Sequence, residues 1–255
     1  MKIRYVSPLL RTIVIVLLSV AMLPVYASAR YDTSISGNLI LDTLTGNATV
    51  TQNSAPTNFT DHFVDPLGNG SASSSATTTL LTTNDLQVLA TTKGSAIPTP
   101  DPIFQIGTTS FATGTSYGEL KISNPGSSAL TLLIQIDTSW AWELLADNLI
   151  SEAASAALSL DFYADGNYVR SLVNLTPADL VSNGSSSGNE TFQVELTDPL
   201  ATLNGGQSRT FRLVASATSS ATAIPEPGTL SLTLLGLGLA GIGRTLRRRH
   251  CATQC

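Results

Sequence analysis

The stretch "ALSLDFYADGNYVRSLVNL", residues 157–175, decides the fold class. Two runs in which apolar and polar residues alternate flank Asp165-Gly166-Asn167. Alternation at period two marks a strand with one buried face, and Asp, Gly and Asn tolerate the positive φ that a tight hairpin needs. The pattern predicts a β-hairpin with Leu158, Leu160 and Phe162 on one face of its first strand and Asp161 and Tyr163 on the other.

The same period recurs on both sides of the hairpin, in "TTTLLTTNDLQVLATT" (77–92), "YGELKIS" (117–123), "ALTLLIQIDTSW" (129–140), "TFQVELTD" (191–198) and "SRTFRLVASATS" (208–219). Turn signals punctuate these runs at Asn84-Asp85, Asn124-Pro125-Gly126, Asn183-Gly184 and Asn204-Gly205-Gly206. Strands separated by such turns predict an all-β fold, an antiparallel β-sandwich or jelly-roll-like domain rather than β-α-β units. One stretch is ambiguous: in "AWELLADNLISEAASAAL" (141–158) Trp142, Leu145 and Leu149 fall three and four apart, which leaves a helical turn around residues 141–150 open. Residues 68–75 ("GNGSASSS"), 94–102 ("GSAIPTPDP") and 182–188 ("SNGSSSG") read as loops.

The ends of the 255-residue chain carry other signals. Lys2, Arg4 and Arg11 precede an apolar run from Thr12 to Leu23, and Ala27-Ser28-Ala29 follows with small residues. That order is a secretory signal peptide over residues 1–29, with Ala27 and Ala29 at the positions a signal peptidase reads. Residues 30–215 are then one exported β-sandwich-like domain, followed by a Ser/Thr spacer at 216–222. From Arg30 to Ala223 the chain holds 6 basic and 17 acidic residues. No basic patch appears, which argues against nucleic acid as a partner. Both cysteines, Cys251 and Cys255, lie outside this stretch, so disulfides do not hold it together.

Little in the exported part points to catalysis. An acyl-transfer triad needs an imidazole to carry the proton, and the one histidine available is His62, between Asp61 and Asp65. These three read as a loop histidine flanked by solvated carboxylates. Asp161, Asp165 and Asn167 fail the D-x-[DN]-x-[DN]-G spacing of a calcium loop. No catalytic residue, metal ligand or cofactor is expected. The alternative is a carbohydrate-binding module or carbohydrate-active enzyme in which Trp140, Trp142 and Tyr163 stack on sugars; core packing is the competing role for those aromatics.

The C-terminal stretch "AIPEPGTLSLTLLGLGLAGIGRTLRRRH", 223–250, carries the functional signal. Gly228 to Gly243 are 16 uncharged, largely apolar residues, about 24 Å of helix, and a transmembrane helix is expected there. Arg244, Arg247, Arg248 and Arg249 form the membrane stop and keep that side cytoplasmic, which leaves the body outside and residues 251–255 as a cytoplasmic extension. Gly236 to Gly241 fit G-x-G-x-x-G, but a dinucleotide site needs a β-α-β unit and an acidic residue about 20 positions further on, and 14 residues without an acid follow.

Pro225-Glu226-Pro227, the apolar run and the arginine cluster together resemble the PEP-CTERM sorting signal of Gram-negative bacteria. The resemblance implies export, an exosortase as the partner that reads Pro225, Glu226 and Pro227, and an inner-membrane precursor. It implies a cell-surface or extracellular destination, in bacteria that often make exopolysaccharide.

Overall fold

The computed structural model describes residues 28–43, 47–52, 57–66, 68–98, 107–146, 152–177, 180, 183–194 and 202–224. They form β1 (Ala29–Thr43), β2 (Thr49–Gln52), β3 (Thr57–Val64), β4 (Asn69–Thr82), β5 (Asp85–Ile97), β6 (Thr108–Ser123), β7 (Leu130–Ala146), β8 (Glu152–Ala164), β9 (Asn167–Leu175), β10 (Gly184–Val194), β11 (Thr202–Leu203) and β12 (Ser208–Ala223). No helix occurs among the described residues.

The strands build two antiparallel sheets. The first runs β10-β7-β1-β5-β4 with β11 on β7; the second runs β2-β6-β12-β8-β9 with β3 on β6. β1 faces β12 and β5 faces β6 across the interior, so each sheet contributes one face to a shared core, as alternation along the strands requires. β8 shows this directly: Leu158, Leu160 and Phe162 are buried, and Asp161 and Tyr163 lie on the other face. The β8–β9 hairpin forms as expected, with φ of 50° at Asp165 and 80° at Gly166, the pair of left-handed residues that matches strand twist. Asp165 fixes the corner further. Its backbone N–H donates to the Thr210 carbonyl, its carboxylate accepts from the Thr210 N–H, and Arg209 pairs with it at 3.1 Å.

Buried Asn124 organises the turn between β6 and β7. Its side-chain amide donates to the carbonyls of Ser128 and Leu203, and its Oδ1 accepts from the Gly126 N–H.

Five expectations need correcting. Residues 69–75 are the start of β4, paired with β5 from Asn69 onward, and not a loop. Residues 184–188 begin β10, where Gly188 lies under Trp140: a Cβ there would stand 2.5 Å from the indole ring. The expected spacer at 216–222 is the second half of β12, a central strand paired with β6 on one side and β8 on the other. In the second half of β12 the inward Ser and Ala are small enough for a closely packed central strand, whereas the starts of β4 and β10 are largely exposed edge strands whose Ser, Gly and Ala suit loops by composition but are held by backbone pairing. Finally, residues 141–146 continue β7 as strand, while 147–150 lie outside the described residues. Of the expected loop at 94–102, residues 94–97 belong to β5 and 99–102 lie outside the described residues.

Candidate functional site

The core has two unequal parts. The larger cluster is built from bulky side chains, among them Leu39, Ile134, Ile136, Phe162 and Phe211, with the two Phe rings stacked 6.0 Å apart. The smaller one is largely alanine: Ala29, Ala96, Ala112, Ala154, Ala156, Ala221 and Ala223, with Tyr31, Leu144 and Leu180, and with half-buried Trp142 and Leu175 packed against it. Toward this smaller cluster three buried hydroxyls meet: Thr33 Oγ1 lies 2.6 Å from Thr92 Oγ1, and Ser219 Oγ lies 2.7 Å from Thr92. Thr33 Oγ1 and Ser219 Oγ lie 3.2 Å apart, so each hydroxyl has two hydroxyl neighbours and can both donate and accept, and three polar groups are buried without an orphan. Nearby, Tyr31 Oη and Ser110 Oγ are buried; burial pushes the Tyr31 phenol above its ordinary pKa, and the Ser110 hydroxyl opposes part of that rise.

Both ends of the sandwich chain leave from this alanine end. Ala29 opens β1 and is paired at once with Ala96 and Ala146; Ala223 closes β12 and is paired with Thr108 and Glu152. Both alanines are 0% exposed, whereas Ile224, the next residue, is 54% exposed. Ala29 is therefore the first residue of a central strand, and the expected signal-peptidase site abuts the fold. Ala27, Pro225, Glu226, Pro227, Arg244, Arg247, Arg248 and Arg249 lie outside the described residues, as do the expected membrane helix at 228–243 and the extension at 251–255.

The remaining candidate chemistry is dispersed. His62 is exposed on β3, and Asp65 follows that strand with its N–H donating to the Thr109 carbonyl. Among the described residues no three His, Cys, Asp or Glu side chains gather as a metal site would require. Trp140 and Trp142 fall in the inward phase of β7 and pack, half-buried, against the core. Tyr163 faces outward. Arg212, beside it on β12, reaches Glu119 Oε1 at 2.6 Å and lies over the rings of Tyr117 and Tyr163 at 5.4 and 5.9 Å. Tyr168, 59% exposed, meets Tyr163 edge-on at 5.7 Å. The period-two phase of β6, β8 and β12 holds the signal for this outer cluster, since Tyr117, Glu119, Tyr163 and Arg212 all alternate with core residues.

A shallow depression of about 470 Å³ crosses the outer face of the first sheet, lined by Asp32, Ser34, Glu143, Ser185 and Ser187 among others. Its polar groups are hydroxyls and carboxylates, with no imidazole or thiol to activate a nucleophile.

Against known proteins, one segment gives a match. Residues 223–249 match the family profile of the PEP-CTERM protein-sorting motif, 27 of the 255 residues. The C-terminal resemblance is therefore a family match, and its first residue, Ala223, is also the last residue of β12. No match to the chain is found among curated proteins.

Proposed function

We propose that the chain is the precursor of an exported protein sorted by an exosortase, and that its β-sandwich is a non-enzymatic component of the cell surface or of an exopolysaccharide-rich biofilm matrix in a Gram-negative bacterium. The observation that carries this reading is the match of residues 223–249 to a protein-sorting motif at the end of an all-β body. Residues 1–29 direct export, and removal after Ala29 takes the first residue of β1 with the signal peptide, so the mature strand opens at Arg30. The 228–243 helix and its arginines hold the precursor in the inner membrane, with the sandwich outside. Pro225, Glu226 and Pro227 are read by the enzyme; two prolines disfavour helix and keep the motif extended. Replacing Pro225, Glu226 and Pro227 by alanine abolishes release and leaves full-length protein in the inner membrane; release equal to wild type contradicts the reading.

The outer face of the second sheet favours a second reading, a carbohydrate-binding role. Exposed Tyr168 stands edge-on to Tyr163, the rings of Tyr163 and Tyr117 lie under the Arg212 guanidinium, and Asp161 shares the outward phase of β8, a mixture suited to the CH and OH groups of a sugar. Glycan-array binding by the purified body that is lost in Tyr168→Ala supports this role, and clean negatives on polysaccharides leave the structural one.

A further inference from the structure

Between the last paired residue of the sandwich and the sorting motif there is no slack. β12 is held on both sides to its end: Thr222 lies opposite Thr109 and Ala153, and Ala223 lies opposite Thr108 and Glu152. Ile224 alone separates Ala223 from Pro225. An enzyme that takes a peptide as an extended strand engages main-chain groups along several residues. Those of Thr222 and Ala223 lie within a ladder with two neighbours. At the same time this end of the core is packed mainly by alanines, which bury little apolar area per residue, so it opens at less cost than the end packed by Leu, Ile and Phe.

We propose that the end of β12 gates sorting: the processing enzyme gains the residues ahead of Pro225 only when the last residues of β12 peel from β6 and β8. The inference rests on the reading of Pro225-Glu226-Pro227 as a processing motif. Folding and processing then compete for the same few residues. A fully paired domain is cut slowly, and local opening at the alanine end sets the rate while the rest of the sandwich stays folded.

Two variants of the full-length precursor test this in cells that hold the sorting enzyme, with processing followed by pulse-chase. A six-residue Gly/Ser insertion between Ile224 and Pro225 removes the need to peel, and processing becomes about tenfold faster, the effect of one or two net backbone hydrogen bonds. The pair Thr222→Cys with Ala153→Cys, directly opposite on β12 and β8, staples the strand end in an oxidising compartment. Processing of the stapled precursor slows by a similar factor and recovers when reductant is added, a recovery that a misfolded variant does not give. An unchanged or slower rate with the insertion, or an unchanged rate with the staple, overturns the gate. Replacing Pro225, Glu226 and Pro227 by alanine in the insertion variant separates the two ideas: processing that continues there means that the motif reading has failed, whatever the insertion does.

Discussion

The two ends of the sandwich core are built from different material. At one end Leu39, Ile134, Phe162 and Phe211 interlock in a wide apolar layer; at the other, alanines from both sheets close on one another around Tyr31, with the Thr33, Thr92 and Ser219 hydroxyls nearby. Both chain ends leave from the alanine end. Apolar burial is thereby divided unequally. The bulky end buries most of the apolar area, and the end from which the strand ends at Ala29 and Ala223 lead out, toward the proposed processing sites, has the least apolar area to lose.

The largest effect that would test this division is at the bulky end. Phe162→Ala or Phe211→Ala lowers the unfolding free energy by about 3–5 kcal/mol, read from urea melts of the exported body, because a large buried ring leaves a cavity. A loss below 1 kcal/mol would mean that this layer is not the main source of stability. Next comes overpacking at mid-sheet. A Cβ on Gly37 would stand 2.7 Å from Leu213 Cδ2 and 2.8 Å from Leu160 Cδ2, so Gly37→Val costs about 1–3 kcal/mol.

At the alanine end the effects shrink. Ala221→Gly removes one buried methyl and loosens the backbone, a loss of about 1 kcal/mol, and speeds hydrogen exchange in the last residues of β12 more than at its start. Equal acceleration along the whole strand would show that the two ends open as one unit.

The smallest effect concerns charge on the outer face of the first sheet. Burial raises the Asp85 pKa, its hydrogen bond with Asn38 opposes that rise, and the nearby Asp137 charge adds to it. A carboxyl with a raised pKa in the folded state favours the protonated form, so ionising it costs stability. That cost sets in as pH climbs from the ordinary aspartate range through the raised value. Asp85→Asn therefore stabilises the body at pH 7 and loses its advantage below the ordinary aspartate range. A variant less stable than wild type at pH 7 would assign Asp85 a favourable role instead.

The sequence makes some of this legible and hides the rest for a physical reason. The β8–β9 hairpin could be read because Leu158, Leu160 and Phe162 contrast sharply with their neighbours, and because Asp165-Gly166 supplies a turn of the required handedness. The second half of β12 could not, because Ala215, Ala217, Ser219, Ala221 and Ala223 face inward while Ser216, Thr218, Ser220 and Thr222 face outward. Small residues on both phases erase the hydrophobic contrast that marks a strand. The start of β4 and of β10 are hidden in the same way. The sorting segment was legible from the order of its parts. Its lack of a spacer was not, since that depends on where β12 ends.

The mass of the mature protein recovered outside the inner membrane tests the central claim most directly. An intact sandwich sorted through its tail begins near Arg30 and ends beyond Ala223 but before Arg244, with every strand retained. A C-terminus inside β12, or a surface protein that keeps Arg244 to Arg249, would contradict it.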